Sequence, residues 1–141
     1  MINADARGAT NNDFGLSVLN GKAVFGVGQP TAGGGGTTQS VASTSNVATG
    51  EWVHVAATRD QLTGTIKVFV NGQENGTLNT GFRNALNGQE HIRLGGSTEN
   101  ETSYFDGQID EVRIFDEVLT AEQIQANYNQ GLSFPALSLT W

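Results

Sequence analysis

The sequence predicts an all-β fold with one short helix near its C-terminal end. Nineteen glycines against two prolines, together with frequent Thr, Asn, Val and Ile, favour many short strands joined by tight turns. Two of the four Asn-Gly pairs, those at Asn20 and Asn71, lie between strand-like segments, and this dipeptide best accepts the positive φ angles of a two-residue hairpin turn. The turn signals predict about eight or nine strands.

The first strands form a hairpin and are followed by a polar strand. The segments FGLSVL (14–19) and KAVFGV (22–27) flank Asn20-Gly21 and predict two paired strands. Residues 28–37 contain four consecutive glycines and little to bury, so we expect a mobile surface loop there. A polar strand is expected after the loop, over 38–44.

The central strands form a second antiparallel unit. Residues 52–59 follow the Thr49-Gly50 turn, and residues 65–70 precede Asn71-Gly72, which predicts two strands and a second hairpin turn. Shorter strands are expected at 76–80 and 91–94. FDGQIDEVRIF (105–115) then predicts the longest late strand.

This late strand places charged residues on both of its faces. Alternation puts Glu111 and Arg113 on one face and Asp110 on the other. Glu111 and Arg113 are therefore expected to form an ion pair whose methylene groups cover apolar surface below the helix.

The single helix begins at a capping box. Thr120 is its predicted N-cap, Gln123 completes the box, and Gly131 ends it. Ile124 and Tyr128 lie one turn apart and are expected to pack against the sheet.

Length and charge limit the class of protein. A chain of 141 residues with 37% hydrophobic content suits one domain, here expected to span 1–141. The net charge of −7 repels phosphate backbones and anionic lipid headgroups, so nucleic acid is excluded as a partner. Because no window approaches 18 uninterrupted apolar residues, no membrane insertion is expected, and the chain as given shows no export signal. Cysteine is absent, which removes disulfides and thiolate metal sites.

Five blocks in order and at regular spacing resemble one known family. They are GEWVHVAATRD (50–60), IKVFVNGQ (66–73), IRLGG (92–96), FDGQIDEVRIF (105–115) and LTAEQIQANY (119–128). Together, over about residues 12–130, they resemble the laminin-G-like members of the concanavalin A-like lectin and glucanase superfamily. The resemblance implies an antiparallel jelly-roll sandwich of two sheets, with ligands on the concave face or its rim loops.

The chain departs from this family at its beginning. Family members usually have two or three further strands before the point that matches Phe14, and the sequence does not supply them. A jelly roll without them has an unpaired edge and an uncovered apolar face. Either the chain is an N-terminally truncated fragment, or another strand fills the gap. The alternating tail 134–141 or a second chain could supply that strand.

Catalysis is not expected. Laminarinase-type relatives use a Glu-x-Asp-x-(x)-Glu strand, since retaining hydrolysis needs two carboxyl groups about 5 Å apart. The nearest approach here is Gln108-Ile109-Asp110-Glu111, in which the first acid is an amide and the other two point to opposite faces. His54 and His91 are interpreted as packing residues.

Calcium is implied only through the resemblance. In laminarinase-type relatives a similar strand carries an Asp that ligates a structural calcium, which makes Asp110 the metal candidate. Calcium takes six to eight oxygen ligands, so backbone carbonyls would have to join this carboxylate. The alternative is that Asp110 accepts backbone hydrogen bonds in a turn.

Ligand contacts are expected from loop residues. The predicted loops contain side chains that can stack on a saccharide or bond to its hydroxyls, namely Phe82, Arg83, Asn84, Asn100 and Tyr104. Trp52 could also stack on a sugar ring, but within WVHVAA a core position is the favoured interpretation.

These observations favour a non-catalytic lectin-like or adhesion module of an extracellular or cell-surface protein. It would bind a glycan or a protein partner, with calcium as a structural cofactor if Asp110 is a ligand. The alternative is a structural sandwich that assembles with other domains, completed by strands from another chain or a homo-oligomer. A degenerate glucanase is a third, weaker interpretation.

Overall fold

Two antiparallel sheets form the part of the chain that the computed structural model describes, which is residues 2–4, 12–31, 36–86, 91–96 and 104–131. The five-stranded sheet has the order β4, β3, β2, β1, β8, and the three-stranded sheet has the order β5, β6, β7. A single described helix, α1, follows. The elements are β1 (Ile2–Ala4), β2 (Phe14–Leu19), β3 (Lys22–Pro30), β4 (Gly36–Ala42), β5 (Val55–Asp60), β6 (Thr65–Val70), β7 (Gln73–Asn79), β8 (Arg93–Leu94) and α1 (Ala121–Gly131).

The core lies between the two sheets, as expected for a sandwich. Alternate residues of β3 and β6 point inward and are almost fully buried, which is the period-2 burial of strands with one face on a core. The buried cluster consists of Ala23, Phe25, Val27, Val41, Val47, Ile66, Val68, Val70 and Phe82. The predicted two-sheet β fold with one short helix is confirmed.

Both predicted hairpins form at the Asn-Gly turns. Asn20 and Gly21 have φ angles of 50° and 78°, and Asn71 and Gly72 have 49° and 79°. Positive φ at both central residues matches the twist of the flanking strands. Glycine and asparagine tolerate this region of φ better than other residues, so the local sequence sets these two turns.

The glycine-rich segment departs from its prediction in part. Both ends of the loop expected over 28–37 are strand, because Gly28, Gln29 and Pro30 continue β3 and pair with Thr38, Thr37 and Gly36 of β4. The middle of the expected loop, residues 32–35, lies outside the described residues. Low side-chain content does not prevent backbone pairing when a neighbouring strand is available.

The strand expected over 105–115 is absent from the described structure. This segment is irregular and largely exposed, and Glu111 has a φ of 51°, outside the extended region. Alternation alone does not make a strand, since a strand also needs a partner edge, and no described strand pairs with this segment. The predicted ion pair does form, with 2.9 Å between Arg113 Nη2 and Glu111 Oε2.

Helix α1 begins at the predicted capping box. The Thr120 backbone N–H donates to Gln123 Oε1 at 2.7 Å, and the Gln123 N–H donates to Thr120 Oγ1 at 3.3 Å. Ile124 is buried, and Tyr128 lies against His54 with 5.7 Å between ring centroids. The helix therefore packs beside the three-stranded sheet, as its apolar spacing predicted.

Asn75 joins the two sheets. Its Oδ1 accepts hydrogen bonds from Thr44 Oγ1 at 3.0 Å and from the Ser45 N–H at 2.7 Å, and its Nδ2 donates to Ser45 Oγ at 3.0 Å. The Thr44 N–H also donates to the Asn75 carbonyl at 2.9 Å. These bonds hold β7 against the loop that follows β4.

Strand β1 was not predicted, because three residues carry too little pattern. It pairs with β2 on one side and with β8 on the other. It therefore joins β8 to the first hairpin, which consists of β2 and β3. The tail 134–141 lies outside the described residues. Across the described ranges, no helix has the length and apolarity needed to cross a membrane.

Candidate functional site

An open cleft of about 630 Å³ lies between residues 47–52 and 104–108. Trp52 and Tyr104 line it from these two segments, and each exposes 66% of its surface. Val18 of β2 and the half-buried Phe105 also contribute to the lining. The cleft therefore combines two accessible aromatic side chains with an apolar base.

Buried contacts fix the Trp52 side of the cleft. Val47 is buried in the core, and its N–H donates to the Gly21 carbonyl at 2.7 Å. The Glu51 N–H donates to Thr49 Oγ1 at 3.2 Å, which shapes the turn before Trp52. Val53 and Val55 pack against the core, so the alternate position 52 points outward.

The prediction that Trp52 belongs to the core is therefore wrong. Average burial statistics favoured the interior, but alternation with the two inward-facing valines was the more direct signal.

The Tyr104 side of the cleft is held by the chain near β8. Tyr104 forms an isolated antiparallel bridge with Gly96, and the Phe105 N–H donates to the Gly95 carbonyl at 2.8 Å. These backbone bonds place residues 104–108 opposite the segment that carries Trp52.

Four polar side chains complete the cleft. Thr49, Glu51, Asp106 and Gln108 all line it and are all exposed. Their carboxylate, amide and hydroxyl groups can accept or donate hydrogen bonds to a bound molecule. Aromatic faces together with such groups form a surface suited to ligands that have both apolar C–H faces and hydroxyl groups.

The other predicted contact residues do not join this cleft. The expected exposure of Phe82 is wrong, because its ring is 9% exposed and packs in the core. Arg83 is exposed and Asn84 is half-buried, and neither lines the cleft. Asn100 lies outside the described residues. Of the four predicted ligand contacts that fall within the described residues, Tyr104 is the one that lines the cleft.

Hydrogen bonds from Arg59 of β5 hold the loop at 82–84 against the rest of the fold. Its Nη2 donates to the Phe82 carbonyl at 3.3 Å and to the Asn84 carbonyl at 2.5 Å. Burial lowers the pKa of the Arg59 guanidinium from its usual value. This half-buried cation holds in place a loop that the sequence alone predicts to be free surface.

Asp110 makes the contact expected of a turn residue. Its Oδ1 accepts a hydrogen bond from the Glu111 N–H at 2.8 Å, and the residue is exposed. Among the described residues, no group of three or more His, Asp or Glu side chains is arranged to hold a metal ion. One carboxylate falls far short of the six to eight oxygens that calcium takes. Calcium binding at Asp110 stays a prediction that rests on the family resemblance.

His54 is a packing residue, as the sequence predicted. Its ring lies against Tyr128 of α1, and its Nδ1 is buried without a hydrogen-bond partner among the described residues. Burial, with a smaller contribution from Arg113, lowers the pKa of His54 below its usual 6.5.

A second hollow of about 560 Å³ lies on the outer face of the three-stranded sheet, beside the start of α1. Threonines and the Lys67–Glu74 ion pair, at 2.7 Å, line most of it. Its aromatic residue, Phe69, is only 2% exposed, so no aromatic face is available there for stacking. The Trp52–Tyr104 cleft is the better candidate for a binding site.

Comparison with known proteins places the chain in one superfamily. A laminin G family model described as the concanavalin A-like lectin/glucanases superfamily matches residues 2–125. The match confirms the family that the sequence blocks indicated, and it begins earlier than expected, at β1. No curated protein sequence shows a significant match.

One solved structure shows the same fold. It is a crystal structure of residues 221–444 of an S-layer domain-containing protein from Clostridium thermocellum, 29% identical to this chain with a TM-score of 0.50. The alignment covers 84% of this chain and 57% of that one. The chain therefore spans little more than half the length of this structural relative.

Proposed function

The chain belongs to the concanavalin A-like lectin/glucanases superfamily, and from this we propose that it is a non-catalytic module that binds a saccharide in the Trp52–Tyr104 cleft. The observation that carries the proposal is the pair of aromatic side chains, each 66% exposed, that line one cleft. Large aromatic side chains are usually mostly buried, and exposed ones in a concave site commonly serve binding.

Stacking on the aromatic rings supplies the apolar part of recognition. The C–H face of a pyranose can lie on an indole or phenol ring and remove apolar surface from water. Exposed Glu51 and Asp106 then accept hydrogen bonds from sugar hydroxyls, and charged acceptors make such bonds stronger than neutral ones.

Charge narrows the class of saccharide. The chain carries a net charge of −7, and the described residues that line the cleft include two acidic side chains and no basic one. Sulfated and uronic-acid-rich glycans would be repelled. The ligand class is therefore an uncharged saccharide.

Binding without bond cleavage is the simplest use of this cleft. Retaining hydrolysis needs two carboxyl groups about 5 Å apart, one of them kept protonated in a desolvated pocket. Glu51 and Asp106 are both exposed, which suits hydrogen bonding to hydroxyls better than proton donation to a leaving group.

A cell-surface location is part of the proposal. The solved relative is an S-layer domain-containing protein, and this supports a surface-associated role for the present chain. A saccharide-binding domain in that setting would attach its parent protein to neutral cell-wall or environmental glycans.

A glycan array tests the proposal. Wild-type protein is expected to bind neutral glycans in preference to sulfated ones, and a Trp52→Ala/Tyr104→Ala variant is expected to lose that signal. Leu62→Ala is the matched control, since Leu62 is the most exposed large apolar residue among those described and is not part of the cleft lining. Binding that persists in the double variant, or hydrolysis of a bound β-glucan, contradicts the proposal.

A further inference from the structure

The segment after the cleft exposes an unusual set of apolar side chains. Five of them, between 40% and 58% exposed, define the apolar strip: Ile109, Val112, Ile114, Phe115 and Val118. Single exposed apolar residues are common on soluble proteins, but five within ten positions mark a surface that another molecule covers. The strip lies outside the lining of the Trp52–Tyr104 cleft.

The apolar strip passes close to the beginning of β5. Arg113, within the strip, donates to Asn127 of α1 at 3.4 Å. The next helical residue, Tyr128, contacts His54, which immediately precedes β5. Strip, helix and the start of β5 therefore meet at one place on the surface.

Strand β5 is an edge strand, and the backbone groups on its outer side have no pairing partner among the described residues. It lies at one end of the three-stranded sheet. The Asn71 N–H donates to the His54 carbonyl, and in the antiparallel register that follows, residues 56, 58 and 60 face β6. The N–H and C=O groups of Val55, Ala57 and Arg59 then point away from the sheet, and none of them has a described backbone partner across that edge.

Among the described residues, β5 lacks several of the usual protections of an edge. It contains no proline and no lysine, its Arg59 is turned to the Phe82 and Asn84 carbonyls, and its Asp60 accepts hydrogen bonds from Leu62 and Thr63 in the adjoining turn. Natural sheets normally cover or charge such an edge to prevent pairing with other chains. An edge that no described residue pairs with, next to an apolar strip, fits the addition of a strand.

The charges around the strip indicate what kind of strand fits. Asp110, Glu111, Asp116 and Glu117 are interleaved with the apolar side chains and are exposed. The one basic residue, Arg113, is engaged by Glu111 and Asn127. A partner segment that places apolar residues on the strip and Lys or Arg against the carboxylates is complementary to it. A second copy of this chain would bring the same carboxylates to the interface, and the two sets of negative charge would repel each other.

We propose that the apolar strip and the free edge of β5 together dock an extended segment of a partner polypeptide in which apolar residues alternate with Lys or Arg. Main-chain hydrogen bonds to the β5 edge would supply affinity. The carboxylates interleaved with the apolar strip would select basic partners. This surface is separate from the cleft, so its role does not depend on saccharide binding.

Labelled synthetic peptides test the proposal by fluorescence polarisation on the whole chain. The probe alternates Val and Lys over about ten residues, the length of a long strand. One comparison peptide replaces Lys with Glu, and another places Pro at two central positions, where the missing N–H prevents strand pairing. The Val-Lys peptide is expected to bind roughly tenfold or more tightly than either, corresponding to about 1.4 kcal/mol.

Variants locate the binding. Ile114→Ser/Phe115→Ser is expected to weaken the Val-Lys peptide at least about tenfold, whereas Leu62→Ser, at the exposed turn between β5 and β6, leaves binding unchanged. Failure of the Val-Lys peptide to bind, or equal binding of the Glu or Pro peptide, overturns the proposal. So does a concentration-dependent mass of the free protein that the strip variant abolishes, because the occupant is then a second copy.

Discussion

Trp52 and Tyr104 face one cleft from segments that lie more than fifty positions apart in the sequence, and each exposes 66% of its surface. Their positions depend on buried neighbours, Val47 on one side and the Gly96 bridge on the other. Side chains that contribute little to packing but share a cleft are expected to affect binding and leave folding unchanged.

Replacing either aromatic residue separates these two effects. Trp52→Ala or Tyr104→Ala is expected to weaken a neutral saccharide by at least about tenfold, or ~1.4 kcal/mol, through loss of stacking. The free energy of unfolding should change by less than about 0.5 kcal/mol, as for other exposed sites. Calorimetric titration and urea unfolding measure both quantities. A large loss of stability with unchanged affinity would show that the rings are structural.

Asn75 is expected to matter for stability and not for binding. Asn75→Ala removes three side-chain hydrogen bonds that join β7 to the loop after β4, at a cost of about 1–3 kcal/mol. Gln61→Ala is the matched control, since the exposed Gln61 donates a single bond, to the Arg83 carbonyl at 3.2 Å. Urea unfolding should show a clearly larger loss of stability for Asn75→Ala than for Gln61→Ala. Equal stabilities would mean that other contacts hold the sheets together.

His54 is expected to make the fold sensitive to mild acid. Because burial lowers its pKa in the folded state below 6.5, the unfolded chain binds the proton more readily. Stability is therefore full above the unfolded pKa and is lost as the pH falls through the folded pKa. Urea unfolding between about pH 5 and pH 8 should show this slope, and His54→Phe should remove it. His91→Gln, at an exposed position, should retain the slope. An unchanged slope in His54→Phe assigns the effect to another group.

Calcium at Asp110 is the part of the family resemblance that needs a direct test. If calcium binds with the millimolar affinity of extracellular modules, a tenfold excess stabilises the fold by about 1.4 kcal/mol. The melting temperature should then rise with calcium relative to a chelator, and Asp110→Asn should abolish the rise. An identical melting temperature in calcium and in chelator removes Asp110 as a ligand.

The features that the sequence predicted well are those set by local chemistry. Asn-Gly turns need positive φ at adjacent residues, and the Thr120–Gln123 box satisfies its own backbone donors. Both depend on residues within four positions of each other, so no knowledge of the rest of the fold is needed.

The features that the sequence predicted poorly depend on distant neighbours. Phe82 lies in a loop, but Arg59 of β5 donates a hydrogen bond to its carbonyl, and the Phe82 side chain packs in the core. Residues 105–115 alternate like a strand, but strand formation also requires a pairing partner, and no described strand pairs with them. Trp52 could have been assigned to the outside from the alternation of Val53 and Val55, and average burial was the weaker guide.

Hydrogen–deuterium exchange with and without a bound neutral saccharide tests the assignment of the binding site most directly. Ligand binding slows exchange of the amides that it covers or rigidifies. We expect protection in residues 47–52 and 104–108, with residues 82–84 unchanged. Protection centred on 82–84, or on the outer face of β5 to β7, would contradict the assignment of the Trp52–Tyr104 cleft as the recognition site.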